Sequence, residues 1–181
     1  MKHLKIQFCF KNSRYVHSAI TGQLYTGSEI YLHPSKLPAK VELALGLCHN
    51  PYRLPTRSAS VESTDSFSAN KNIADRIIHI CRINFWLATR YASWQKPIHP
   101  DASAAIAAFR EIVGTKKQKD LCLPRALYAA KTSQCFKEHG IVFIGVFLPS
   151  RAMHAWVIED GRLADPYDTE WLQHRPVAAL Y

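Results

Sequence analysis

From residue 73 the apolar positions fall at helical spacing. Ile73, Ile77, Ile80, Leu87, Tyr91 and Trp94 form one stripe, and Ile78, Cys81, Phe85 and Ala88 add a second. The pattern predicts one long helix buried on two sides and stopped by Pro97 and Pro100. Asp101 then caps a second helix that Gly114 ends. A third is predicted from Asp120, its candidate N-cap, through His139, with Pro124 tolerated in a first turn whose amides lack intrahelical partners and Gly140 as terminator. The unbroken apolar run IVFIGVFL reads as a buried strand. Met153 to Glu159, the dipeptide Asp160-Gly161 and Arg162 to Asp165 read as a hairpin with a two-residue turn.

The first part of the chain has a different period. Within residues 3–33, KIQFCF, RYVHSAI and EIYLH are short β-like pieces separated by Lys11-Asn12-Ser13 and Thr26-Gly27-Ser28. A short helix is predicted from Leu37 to Cys48. Asn50 to Asn72 holds Pro51, Pro55 and repeated Ser and Thr with few large apolar residues, the composition of a linker. The expected organisation is a β-rich segment over 1–49, a Ser/Pro-rich linker over 50–71 and an α+β domain over 72–181.

Composition leaves this picture in place. Hydrophobic residues are 48% and charged residues 20% of the 181, near globular averages. The net charge of +9 is spread, with eight basic against four acidic residues over 1–70 and fifteen against ten over 71–181. No basic arm stands out, so a solvated basic surface is preferred to nucleic-acid binding. The run Lys116-Lys117-Gln118-Lys119 reads as a solvated loop. The N-terminus has no signal-peptide core, and the apolar stretch Ile73 to Trp94 carries Asp75, Arg76, Arg82 and Arg90, which are costly in hydrocarbon. Five widely spaced cysteines without a Cys-x-x-Cys pair argue for reduced thiols and against a zinc site. A cytoplasmic protein that is not in the membrane is expected.

Cys122 differs from the other cysteines by its expected place in the first turn of a helix, where free amides and the positive dipole end favour the thiolate. His154 and Asp165 are brought together by register. A two-residue turn at Asp160-Gly161 pairs Ile158 with Leu163 and Trp156 with Asp165, which puts His154 and Asp165 on one face as diagonal neighbours roughly 7–8 Å apart. Asp168 projects to the other face if the strand continues, which Pro166 makes doubtful. Cys122 as nucleophile, His154 as base and Asp165 as orienting acid supply what acyl transfer requires. The Cys122 amide is a candidate oxyanion donor. From spacing alone, a packed histidine and a buried thiol remain open.

The stretch CLPRALYAAKTSQCFKEHGIVFIGVFLPSRAMHAWVIEDGRLAD, residues 122–165, resembles the transglutaminase-like cysteine protease of lasso-peptide biosynthesis, the B protein of microcin-type clusters. A Cys-Leu-x-Arg-Ala-Leu helix start, a Gly-Val strand, a His-Ala-Trp-Val strand and an acidic residue past a Gly turn occur in family order. The resemblance implies a papain- or transglutaminase-like domain, with the Cys helix packed on antiparallel strands that bear His and Asp, and the triad Cys122, His154, Asp165. It implies removal of the leader from a ribosomally made precursor peptide, so that a partner cyclase resembling asparagine synthetase can close the ring on the new amine. It also implies that residues 1–49 are a small winged-helix-like leader-recognition segment. The family is described as needing ATP, yet Gly114-Thr-Lys-Lys-Gln-Lys lacks the second glycine and the hydroxyl of a phosphate loop, and no intrinsic cofactor is expected. Two other readings keep parts of the same picture: an acyltransferase that uses the triad with an amine acceptor, and a peptide- or RNA-binding module with a degenerate site.

Overall fold

A computed structural model describes residues 6–8, 38–48, 67–114, 121–147, 149–150 and 152–181. In chain order the elements are β1 (Ile6–Phe8), α1 (Ala39–Cys48), α2 (Phe67–Ile83), α3 (Phe85–Ser93), α4 (Ala102–Val113), α5 (Cys122–Thr132), α6 (Phe136–His139), β2 (Gly140–Phe147), β3 (Ala152–Glu159), β4 (Arg162–Leu163), a 3-10 turn (Glu170–Gln173) and β5 (Arg175–Leu180). The class is α+β. The strands form one antiparallel sheet in the order β1-β5-β2-β3-β4. Strand expectations within 9–33, the linker residues 50–66, the lysine run and the Asp120 cap lie outside the described residues.

The sheet is covered on both faces, which is why β2 reads as an unbroken apolar run. Val142, Ile144, Ala155, Val157, Ala178 and Leu180 point into a core with α2 to α5. Ile141, Phe143, Trp156, Ile158, Leu163 and Ala179 point the other way, against Val41, Ala44 and Leu45 of α1 and Trp171 of the 3-10 turn. The short helix expected before Cys48 is therefore the cover of the second face. With β1 pairing β5 on the sheet edge, these parts of the segment 1–49 do not stand apart from the rest. Among the described residues no helix is long and apolar enough to cross a membrane.

Two helices are shorter than their periodicity suggests, and each break has a side chain behind it. The helix expected over 72–94 starts earlier, at Phe67, and divides at Asn84. That residue is extended and its side-chain oxygen accepts the Leu87 N–H at 3.1 Å, capping α3. The new helix restarts the phase. Phe85, Ala88 and Ala92 are buried, whereas Leu87 and Trp94, expected in the first stripe, are 53% and 50% exposed. The helix expected to reach His139 stops at Thr132, because Ser133 turns extended. The Ser133 hydroxyl donates to Glu159 Oε1 at 2.8 Å and accepts the Phe136 N–H at 3.2 Å, starting α6. Glu159, fully buried, also accepts the Ala102 N–H at 2.8 Å, so one carboxylate ties the start of α4 and the end of α5 to β3.

The Asp160-Gly161 turn has φ of 51° and 69°, the two positive values a type I′ hairpin requires. Its register is the expected one for two pairs, Glu159 with Arg162 and Ile158 with Leu163. Pairing ends with the Ala164 N–H on the Val157 carbonyl at 3.0 Å. The expected pairing of Trp156 with Asp165 does not form, since the chain turns away before Pro166, and among the described residues no strand pairs with this edge of β3 from Trp156 back to Ala152.

Gly145 on β2 stands opposite His154 on β3. A Cβ there would lie 2.7 Å from ring atoms of Trp156 and 3.0 Å from the Arg175 carbonyl oxygen. The missing side chain is the space that Trp156 fills. Gly145→Ala is expected to lower stability by about 1–3 kcal/mol through overpacking. Denaturant unfolding reads this, and an unchanged midpoint would mean that Trp156 repacks at no cost.

Candidate active site

Cys122 is the first residue of α5, preceded by Leu121, which supplies no side-chain cap, so the opening amides are left to other acceptors. The His154 imidazole and the backbone N–H of Ala155 lie close enough to the sulfur to favour its thiolate. Sheet geometry explains the second of these. Val157 directs its polar groups toward β4, and Ala155, two residues earlier, directs its own the same way, where β4 has already ended. The open stretch of β3 thus faces Cys122.

His154 is buried and its ring lies nearly parallel to Trp156, with centroids 6.2 Å apart and planes 15° apart. Its Nε2–H donates to both oxygens of Asp168, at 2.9 and 2.7 Å. Asp168 is held in turn by the Glu170 N–H on Oδ1 at 3.1 Å and by Arg125 Nη2 on Oδ2 at 3.5 Å. With Nε2 occupied, Nδ1 is the nitrogen that remains for the thiol. Glu170 Oε2 stands 3.4 Å from the same Nδ1.

The orienting carboxylate is therefore a correction. Asp165, assigned that role by hairpin register, is buried and engaged elsewhere. Arg110 Nη2 donates to its two oxygens at 2.9 and 2.7 Å, Arg125 Nε approaches Oδ2 at 3.2 Å, and the Tyr167 N–H donates to Oδ1 at 3.1 Å. Because the strand ends at Leu163, the face rule no longer applies at 165. The turn through Pro166 and Tyr167 delivers Asp168 to the imidazole. The sequence signal available for this was Pro166 itself, which cannot continue a paired strand. Arg110, Tyr167 and Glu170, which sequence reasoning did not single out, complete the surroundings with Arg125, the arginine of the Cys-Leu-x-Arg-Ala-Leu helix start. With Cys122, His154, Asp168 and Thr169 they line a cleft of about 190 Å³.

Electrostatics follow from these contacts. Burial pushes the Cys122 thiol up, but the His154 hydrogen bond and charge, the Ala155 N–H and the Arg125 charge outweigh it and hold the thiol below its usual range. Burial likewise pushes His154 down, and the hydrogen bonds and charges of Asp168 and Cys122 reverse this, raising the imidazole to about 9. Both shifts favour thiolate and imidazolium over the neutral pair. Cys48 and Cys81 show what burial does when little opposes it, with thiols pushed up to about 12; nearby Trp156 offsets little at Cys48, and the Cys122 charge adds to the rise at Cys81.

A thiolate at a helix start, an imidazolium that can surrender a proton from Nδ1, and a carboxylate on Nε2 can carry out nucleophilic acyl transfer. Among the described residues no group of three or more His, Cys, Asp or Glu side chains could hold a metal ion. Compared with known proteins, the chain matches no family model, no curated protein and no solved structure.

Iodoacetamide is expected to alkylate Cys122 selectively at neutral pH. His154→Ala should move its rate profile up to the ordinary thiol range and Asp168→Asn part of the way. Uniform slow labelling of all five cysteines would sink the ion pair. Asp165→Asn has a different signature. It removes the negative charge that two arginines share and should cost about 3 kcal/mol of stability, with the labelling profile near that of the parent. A shift in thiol reactivity from Asp165→Asn larger than that from Asp168→Asn would reverse the assignment.

Proposed function

We propose that the chain is a cysteine peptidase that removes the leader from a ribosomally synthesised lasso-peptide precursor, its α+β body being a papain- or transglutaminase-like domain. The observation that carries the reading is the relay in which Asp168 holds Nε2 of His154 and leaves the imidazole to ionise Cys122. The resemblance of residues 122–165 supplies the substrate class, and a cytoplasmic setting agrees with reduced thiols at the described cysteines.

In this mechanism the Cys122 thiolate attacks the scissile carbonyl, and the oxyanion is met by amides at the start of α5. The imidazolium gives its Nδ1 proton to the leaving amine as the C–N bond breaks, and the leader stays on sulfur as a thioester. His154, now neutral, takes a proton from water, which attacks the thioester and releases the leader carboxylate and the thiolate. The freed amine of the core peptide is then available to a partner cyclase resembling asparagine synthetase.

The test is incubation with a precursor peptide, with and without partner proteins and ATP, with products read by mass. Intact leader and core are expected from the wild-type chain, and Cys122→Ala or His154→Ala should lower the rate by at least about a hundredfold while leaving the fold unchanged. Leader joined to an added amine instead of released would make the protein an acyltransferase. The rate should rise with Cys122 ionisation, below the usual thiol range, and fall as pH passes about 9, where His154 loses the proton it must donate. A rate that keeps climbing beyond that pH contradicts the imidazolium as proton donor.

A further inference from the structure

Among the described residues, the charges that line the cleft are matched except at one place. Arg110 is spent on Asp165, and Arg125 is divided between Asp165 and Asp168. Cys122 and His154 satisfy each other, and the remaining Nε2 is on Asp168. Glu170 is left. Its side chain is 61% exposed, and among the described residues its carboxylate has one charged neighbour, His154 Nδ1 at 3.4 Å, a nitrogen whose proton is needed for catalysis. The nearby His174 ring, 5.2 Å from that of His154, directs Nδ1–H to the Glu170 backbone carbonyl at 2.7 Å, away from the carboxylate.

Tyr167 stands on the same rim. Its ring packs on the Arg110 guanidinium at 5.3 Å and is nonetheless 74% exposed, so aromatic surface remains open to the cleft. A carboxylate and an open aromatic ring lining one cleft are a recognition pair for a cation, one by charge and the other by its ring quadrupole. The location selects which part of a substrate would carry that cation. Because the imidazolium delivers its proton to the leaving amine, the groups around its Nδ1 edge lie on the amine side of the scissile bond.

We propose that Glu170 and Tyr167 form a subsite for a lysine or arginine side chain close to the amine side of the cleaved bond. The subsite rests on the peptidase reading only in taking the cation to be part of a peptide. Glu170 is then a specificity residue, exchanging its contact with His154 for the substrate cation and leaving the imidazolium free to face the leaving group.

The test separates the two ideas by using Cys122 alkylation in the full chain together with peptide cleavage. Rates are measured with cationic 2-bromoethylamine, neutral iodoacetamide and anionic iodoacetate. Glu170→Gln is expected to lower the cationic-to-anionic rate ratio about fivefold, the scale of a partly exposed charge pair, and Glu170→Lys to lower it further. An unchanged ratio in both variants overturns the subsite. In the second arm, peptides differ only in Lys, Gln or Glu at the first position after the cleaved bond, and Lys should be preferred, with Glu170→Lys inverting the order. Equal cleavage of all three, unaltered by Glu170→Lys, overturns the subsite and leaves the peptidase reading standing. A charge-dependent alkylation ratio with no peptide cleaved supports the cation subsite and counts against the peptidase.

Discussion

An imidazole buried between a thiol and a carboxylate holds its proton more firmly as each neighbour takes negative charge, and the site depends on that mutual support. Burial works against each charge separately, raising Cys122 and lowering His154. Together the two charges cancel most of that cost, because each is the other's counterion at hydrogen-bond range. Asp168 makes the arrangement one-directional. By taking Nε2 it leaves Nδ1 for the sulfur, and by its charge it favours the protonated ring.

The surrounding fold serves this condition. Gly145 gives room to Trp156, whose ring lies under His154, so a missing side chain on β2 sets the plane of the imidazole on β3. The early end of β4 frees the Ala155 N–H for the sulfur. Asp165 and Asp168, separated by one turn, divide the work: the first neutralises Arg110 and part of Arg125, and the second serves the histidine while resting on the same Arg125. Replacing either aspartate thus disturbs a different quantity, the packing of the arginines in one case and the ionisation of the thiol in the other.

Much of this was readable from residue order. Cys122 at a helix start, the strand carrying His154, the Asp160-Gly161 turn and the caps at Asp101 and Gly114 follow from local rules, and the structure has them where those rules put them. The failures share a cause. Periodicity was carried past a side chain that diverts the backbone: Asn84 resets a helical phase, Ser133 leaves its helix for Glu159, and Pro166 ends a strand whose face alternation had been extended to Asp165. The roles of Arg110 and Glu170 were hidden for another reason. They reach the cleft from α4 and from the 3-10 turn, and no spacing rule connects these elements to Cys122.

The central claim is the charge state of one ring, and nitrogen NMR of His154 across pH reads it directly. Both ring nitrogens should remain protonated through neutral pH and titrate near 9, with the titration moving down in Cys122→Ala and further in Asp168→Asn. A neutral ring at pH 7 that titrates near the ordinary 6.5, unmoved by either substitution, would contradict the account.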